Sequence, residues 1–181
     1  MATSENRTEV APTSGTKDKS DAAAVNRLLA GADKTIQSVR YCWLVTAAEN
    51  GLTNMRPMGR LMHDAGEDER TIRFITDVRT RKVAEMRRAG RVTIVFQHDP
   101  DDAFVTLVGK ATLCESESEV RERWKDAYGA YFPTKQDRAN AIFVKVDIER
   151  MELWIRGVTP EPYGMRPTIL ERDARRGWRL A

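Results

Sequence analysis

Histidine and cysteine are scarce in this chain of 181 residues, which contains two of each. The two cysteines, Cys42 and Cys114, are too few for the disulfide framework of a small secreted domain. Both lie in apolar segments, which indicates buried free thiols and a reducing, cytoplasmic location. The two histidines, His63 and His98, stand beside predicted turns, so surface positions are favoured over a shared metal site.

Several familiar signals are also absent. No apolar run approaches the roughly 18 residues of a membrane-spanning helix, and the polar N-terminus lacks the apolar segment of a signal peptide. The chain has no Gly-x-Ser-x-Gly, P-loop, Gly-x-Gly-x-x-Gly or Cys-x-x-Cys motif. Asp99, Asp101 and Asp102 lack the accompanying glycine and glutamate of a calcium loop and predict a turn instead. We therefore expect no metal and no membrane association, and no general acid–base pair is evident.

The composition is that of a single globular domain, with 41% hydrophobic and 31% charged residues and a mean hydropathy of −0.54. The formal net charge is only +3, yet the segment from Arg79 to Arg91 holds six basic residues and one acidic residue. The basicity is therefore local. This distribution fits a small anionic ligand better than a long nucleic-acid track.

The segment from Thr71 to Gly90 combines a strand, a turn and a helix. Ile72, Phe74 and Thr76 alternate with the period of a strand, and a helix over 81–89 is predicted between an N-cap at Thr80 and a stop at Gly90. The helix begins Thr80-Arg81-Lys82, so a hydroxyl, two cations and the free N–H groups of a first turn lie together. That combination suits a phosphate group. The alternative is a basic helix face exposed to solvent.

The remaining pattern predicts a mainly β domain. We expect a disordered tail over 1–20, a barrel domain with an N-terminal helix over 21–157, and an irregular extension over 158–181. The predicted strands are 41–48, 52–63, 71–76, 91–98, 103–114 and 141–156, with helices at 21–38, 115–128 and 136–141. Hairpin connections favour an antiparallel sheet, and six strands favour a small closed barrel with flanking helices.

Four local features refine this prediction. Pro57 lies inside a predicted strand, which indicates an edge strand, a bulge or a contact with something other than a neighbouring strand. Gly109 permits a bend or a close approach, and the alternation near Arg150 and Met151 breaks as it would at a bulge. Trp154 lies near the end of the last predicted strand and is a candidate for ligand stacking or a dimer contact.

Six segments, taken in order, resemble the general stress protein branch of the pyridoxamine phosphate oxidase-like, flavin-binding split barrels. They are Asn54-Met-Arg-Pro-Met58, Ile72-Arg-Phe-Ile-Thr-Asp77 with Thr80-Arg-Lys82, Val92-Thr-Ile-Val-Phe-Gln97, Phe104-Val-Thr-Leu-Val-Gly-Lys-Ala111, Tyr131-Phe-Pro133 and Met151-Glu-Leu-Trp154. No single segment is specific, but their order and spacing are. The resemblance covers residues 33–157 and implies a six-stranded antiparallel split β-barrel of Greek-key type. It also implies a homodimer with one FMN in each of two grooves at the subunit interface.

The resemblance assigns a role to each matching position. The Arg56-Pro57-Met58 backbone would run along the isoalloxazine ring. The ribityl chain and the ring edge would be lined by Phe74, Ile75 and Thr76. The phosphate would be held by Thr80, Arg81 and Lys82. Gln97 would hydrogen-bond the pyrimidine side of the ring, and Trp154 would contact the flavin of the other subunit.

The departures from the family limit the expected activity. No histidine follows His98, although the substrate-binding segment of true pyridoxamine phosphate oxidases contains one. Gly177-Trp-Arg-Leu180 matches only the end of that segment, so we do not expect vitamin B6 oxidation. The resemblance implies a flavin-dependent oxidoreductase. The alternatives are a non-enzymatic binder of FMN or FAD, a deazaflavin protein, and a basic nucleic-acid-binding module.

Overall fold

The computed structural model describes residues 14–62, 70–174 and 177–181. Four α-helices and eight β-strands account for most of these residues. The helices are α1 (Ser14–Ser38), α2 (Arg81–Ala89), α3 (Glu117–Arg123) and α4 (Lys135–Ala139). The strands are β1 (Tyr41–Ala47), β2 (Thr53–Gly59), β3 (Thr71–Asp77), β4 (Arg91–His98), β5 (Ala103–Cys114), β6 (Ala141–Ile155), β7 (Thr168–Arg172) and β8 (Trp178–Leu180). None of the helices in these ranges is long and apolar enough to cross a membrane.

All strands belong to one antiparallel sheet in the order β2-β1-β4-β5-β6-β7-β8, and β3 pairs with β6. The long strand β6 pairs with β5 along its length, with β3 over its first half and with β7 over its second half. Beyond β2, the amide of Leu61 donates to the carbonyl of Arg73 on β3 at 2.9 Å. The two ends of the β2-β1-β4-β5-β6-β3 path therefore meet through this backbone hydrogen bond.

The bend in β6 is fixed by a bulge and a glycine. The register between β5 and β6 shifts after the Val108–Arg150 pair, because Gly109 pairs with Ile148 and leaves Glu149 as the extra residue. A Cβ at Gly109 would lie 2.4 Å from the carbonyl oxygen of Asp147, so only glycine fits this approach. The predictions of a bulge near Arg150 and of a close approach at Gly109 are confirmed.

The core lies between the inner face of the sheet and α1. The side chains that α1 buries recur at the predicted helical spacing: Val25, Leu28, Leu29, Ala32 and Ile36. Alternate residues of β4 and β5 face the same core, including Ile94, Phe96, Val105 and Leu107. The two-residue and 3.6-residue periods in the sequence therefore identified the buried faces.

Three predictions about element bounds need correction. The sheet has eight strands where six were predicted, because the extension over 158–181 contains β7 and β8. Helix α1 begins at Ser14, so the end of the predicted disordered tail is helical; residues 1–13 and His63 lie outside the described residues.

The helix predicted over 115–128 stops at Arg123. Trp124 adopts an extended conformation there, and its ring packs edge-on against Tyr128 and Phe132. A 3-10 turn over Asp126–Ala130 follows. Aromatic packing has overridden helical propensity at this point.

Candidate anion site at the start of helix α2

Helix α2 occupies the predicted range, and of the amides in its first turn Val83 donates to the carbonyl of Thr80 at 3.0 Å. Thr80 holds the N-cap position with an extended backbone, and no described side chain caps the helix. The hydroxyl of Thr80 instead donates to the carbonyl of Asp77 at 2.8 Å. Gly90 ends the helix in the left-handed conformation (φ 67°), as predicted. Within the described residues, the amides of Arg81 and Lys82 and the positive end of the helix dipole therefore remain available to an anion.

Arg79 is already engaged by a carboxylate just before the helix. Its guanidinium Nε lies 3.0 Å from Asp77 Oδ1 and its Nη2 lies 2.5 Å from Asp77 Oδ2. The hydrogen bond from Arg79 holds the pKa of Asp77 below its ordinary value. This ion pair stabilises the turn between β3 and α2.

Lys82 is the cation of this site that lacks a counter-ion. Its side chain is half-buried, and no hydrogen bond or ion pair joins its ammonium group to any residue within the described ranges. Burial, followed by the nearby charge of Arg56, lowers the pKa of Lys82 below its ordinary value, while Asp77 acts in the opposite direction. A cation that is partly desolvated and unpaired favours binding of an anion.

Behind Lys82, Glu85 forms the centre of a buried polar network. Glu85 is 5% exposed, and its carboxylate accepts hydrogen bonds from Thr46 on β1, and from Asn54 and Arg56 on β2. Arg81, one turn earlier on α2, lies 3.5 Å away. Burial works to raise the pKa of Glu85, but the hydrogen bonds from Thr46 and Asn54 and the charge of Arg56 hold it below its ordinary value.

The sequence reasoning missed Glu85, Thr46 and Asn54. The available signal was that Glu85 is the one acidic residue in the basic segment over 79–91 and follows Arg81 by one helical turn. Strand pairing of β1 with β2 then places Thr46 opposite Asn54, two residues before Arg56. The cluster therefore depends on a contact between α2 and the β1–β2 hairpin that periodicity does not reveal.

The three candidate residues on β3, Phe74, Ile75 and Thr76, offer different groups to a ligand. Phe74 is completely buried, and Thr76 is buried on the same inner face, so only their main chain is available to a ligand. Ile75 points to the other face and is half-buried beside its strand partner Phe143. Ligand contacts from this strand would therefore come from the backbone and from Ile75.

On β2, Pro57 and Met58 face opposite sides of an edge strand. Pro57 is exposed opposite Trp43 of β1, and Met58 packs against the core. Since β2 ends the strand order, the proline removes no hydrogen bond from a sheet interior. The edge-strand interpretation of Pro57 is confirmed.

Gln97 and Trp154 lie in one row across three strands. Phe104 on β5 pairs with Gln97 on β4 and with Trp154 on β6, which places all three side chains on the outer face. Gln97 is exposed and donates to Asp99 at 2.7 Å. Among residues 14–62, 70–174 and 177–181, no cluster of His, Cys, Asp or Glu is arranged to hold a metal ion.

This row and the start of α2 are far apart along the chain's longest strand. Asp77, just before α2, pairs with Ala141 at the beginning of β6, whereas Trp154 stands near its end. At 3.3 Å per residue, the part of β6 between these two positions is about 40 Å long, measured along the strand. Six of the candidates therefore form two groups on this chain: Arg56, Thr80, Arg81 and Lys82 in the first, and Gln97 and Trp154 in the second.

Comparisons with known proteins give consistent results. A comparison with curated proteins gives no significant match. Among solved structures, a Clostridium acetobutylicum protein related to general stress protein 26 of B. subtilis is similar with a TM-score of 0.64 and 19% identity. The alignment covers 80% of this chain and 94% of that one.

Two further structures have the same fold. A pyridoxamine 5'-phosphate oxidase-related, FMN binding protein from Nostoc punctiforme gives a TM-score of 0.63 at 18% identity, covering 96% of this chain and 97% of that one. General stress protein 26 from Bacillus anthracis gives a TM-score of 0.55 at 16% identity, and the alignment covers 70% of this chain and 93% of that one. A model of the family described as pyridoxamine 5'-phosphate oxidase like matches residues 30–159. Because that match spans most of the chain, the protein belongs to the pyridoxamine 5'-phosphate oxidase like family.

Proposed function

We propose that this protein binds FMN, with the phosphate at the start of α2, and acts as a flavin protein of the general stress protein type. The observation that carries the proposal is that the half-buried Lys82 has no ion-pair partner among the described residues and lies beside the first turn of α2, which none of their side chains caps. The family supports it, since a relative with this fold is described as FMN binding.

The charge of the site suits a phosphate monoester. Its cations are Arg56, Arg79, Arg81 and Lys82, and its carboxylates are Asp77 and Glu85, which leaves a net charge of +2. The phosphate of FMN carries about −2 near neutral pH, as other phosphate monoesters do. Lys82 and Arg56 would supply charge, and the amides of Arg81 and Lys82 would supply hydrogen bonds.

The ring would extend from this site along β2. The backbone of Arg56, Pro57 and Met58 would face it, with the main chain of Phe74 and Thr76 and the side chain of Ile75 lining the ribityl chain. A bound flavin would supply the electron-transfer chemistry, and this chain would supply anchorage and orientation.

We propose a homodimer, because Gln97 and Trp154 would serve a flavin held by the other subunit. The outer face of β1 and β2 supports this arrangement, with Tyr41, Trp43 and Met55 exposed at 53%, 42% and 61%. Pro57 and Val95 flank Trp43 on that face. An apolar sheet face of this kind is typical of a protein interface.

The same proposal includes the six-stranded, Greek-key split barrel of the family. The hydrogen bond from Leu61 to Arg73 supports closure between β2 and β3, with β7 and β8 as an addition on β6. The buried free thiols of Cys42 and Cys114 fit the cytoplasmic location that we propose.

The test is the absorption spectrum and mass of the purified full-length protein. We expect a yellow protein, or a colourless one that takes up FMN at one per protomer, with a native mass of two chains. Reduction of the bound flavin by NADH or NADPH, followed by turnover with an acceptor, would establish an oxidoreductase; uptake without turnover would establish a flavin-binding protein. Failure to take up any flavin nucleotide would contradict the proposal.

A further inference from the structure

Glu85 joins three elements of the fold at one buried carboxylate. Oε1 accepts from Asn54 Nδ2 at 2.5 Å, and Oε2 accepts from Thr46 Oγ1 at 2.5 Å and from Arg56 Nη2 at 3.2 Å. Helix α2 is thereby tied to β1 through Thr46 and to β2 through Asn54 and Arg56. The strand proposed to follow the flavin ring is fastened to the helix proposed to hold the phosphate.

The network also fixes the direction of the Arg56 guanidinium. Besides its bond to Glu85, Arg56 donates through Nη1 to Thr46 Oγ1 at 2.5 Å and, at 3.4 Å, to the carbonyl of Leu44. A guanidinium has five N–H donors, so these three bonds leave two available to a ligand. The side chain is held close enough to Lys82 to lower its pKa.

We propose that Glu85 is a positioning residue for the phosphate site: it holds Arg56 beside Lys82, and it acts on the ligand through Arg56. This inference rests on the proposed function. An arginine side chain that is free in solution loses substantial rotamer entropy when a ligand orders it. Here the carboxylate orders the guanidinium before the ligand arrives, so that cost does not fall on binding.

The competing interpretation is that Glu85 opposes the phosphate by charge repulsion. The geometry favours positioning, because each carboxylate oxygen is already occupied by donors and the group is buried. The two interpretations predict opposite signs. Neutralising Glu85 weakens FMN binding if the residue positions Arg56, and tightens it if the residue repels the phosphate.

The experiment is a double-mutant cycle on the full-length chain with FMN and riboflavin as the probes. We expect Glu85→Gln to weaken FMN about tenfold, because a neutral amide with one acceptor oxygen holds the guanidinium less firmly than the carboxylate does, and to change riboflavin affinity less than about twofold. In an Arg56→Met background, Glu85→Gln should have almost no further effect on FMN, since the residue it positions is gone. A purely structural role would instead give additive losses for both ligands.

Two other variants keep the test decisive. Glu115→Gln is the matched control, because Glu115 pairs with Arg87 of α2 but lies outside the network. It should leave FMN affinity unchanged. If Glu85→Gln does not fold, Thr46→Val removes the hydroxyl that bonds both Glu85 and Arg56 while keeping the side-chain shape. Thr46 is 1% exposed and out of reach of a ligand, so weaker FMN binding in this variant would be transmitted through Arg56.

The outcomes separate this inference from the proposed function. Wild-type protein that binds no flavin overturns the proposed function, and the inference with it. Wild-type protein that binds FMN, with equal or tighter binding by Glu85→Gln, overturns only the positioning role. Additive losses in the double-mutant cycle overturn it as well.

Discussion

Two clusters of arginine and glutamate in this protein use the same residue types in different environments. The Glu85 network lies between α2 and the β1–β2 hairpin, and the Glu85 side chain is 6% exposed. The second, which we call the Glu171 network, lies on β6, β7 and β8 and joins Glu171 to Arg150 at 2.8 Å and to Arg179 at 3.4 Å. Glu152 completes it through Arg150, and the Glu171 side chain is 31% exposed.

The comparison shows that burial decides what an ion pair contributes. Exposed pairs are screened by water and salt and contribute little to stability. Water cannot take the place of a buried carboxylate, so removing the carboxylate leaves its hydrogen-bond donors without an acceptor. We therefore expect the Glu85 network to affect both stability and ligand binding, and the Glu171 network to affect neither strongly.

The largest expected difference between the Glu85 and Glu171 networks is in the free energy of unfolding that each contributes. Glu85→Ala should destabilise the protein by about 3 kcal/mol, because it leaves Arg56, Asn54 and Thr46 without their shared acceptor. Glu171→Ala should shift the urea denaturation midpoint only slightly. Equal shifts for the two variants would contradict the comparison.

The next effect concerns ligand affinity. Lys82→Ala should weaken FMN by about 1.5–3 kcal/mol, because one charge-assisted contact to the phosphate is lost. Riboflavin affinity should hardly change. Arg179→Ala, which removes a cation from the Glu171 network, is the control and should leave both affinities as they are. Isothermal titration with both flavins measures the difference, and equal weakening of both would place Lys82 away from the phosphate.

A smaller effect should appear in acid. The pKa of Glu85 is held below its ordinary value of 4.5 in the folded protein. The stability that this carboxylate contributes is therefore present above about pH 4.5 and is lost as the pH falls through the folded-state pKa. In urea denaturation from about pH 7 to about pH 3, the stability gap between wild type and Glu85→Gln should stay constant down to about pH 4.5 and should narrow only below that pH. A gap that is constant over this range would show that the charge of Glu85 contributes nothing to folding.

The smallest effect should come from salt. Raising the salt to about 1 M shortens the screening length to about 3 Å. The small effect of Glu171→Ala should then vanish, while the effect of Glu85→Ala should persist because the Glu85 side chain is only 6% exposed. Parallel denaturation curves at low and high salt provide the measurement, and a salt-sensitive Glu85 effect would contradict its buried position.

Much of the fold could be predicted because its signals are local. The period of α1, the bounds of α2, the stop at Gly90, the edge position of Pro57 and the approach at Gly109 all follow from single residues or short periods. The extension was misjudged for the same reason. β7 and β8 are short, follow three prolines, and are stabilised by pairing with β6 rather than by a pattern of their own.

The candidate site was predictable in part. Thr80, Arg81 and Lys82 share one helical turn, so their proximity follows from the sequence alone. The Glu85 network could not be predicted from the sequence. It depends on how α2 packs on the β1–β2 hairpin, and Thr46 and Glu85 are 39 residues apart in the sequence. Phe74 shows the converse limit. Its place in the motif suggested a ligand contact, whereas its side chain is completely buried in the core.

The relative affinity of wild-type protein for FMN and riboflavin tests the central claim most directly, because the two ligands differ only by the phosphate. With the first turn of α2, Lys82 and Arg56 together, FMN should bind more tightly by at least about a hundredfold, or roughly 3 kcal/mol. Equal affinity for the two, or uptake of neither, would contradict the assignment of the start of α2 as the phosphate site.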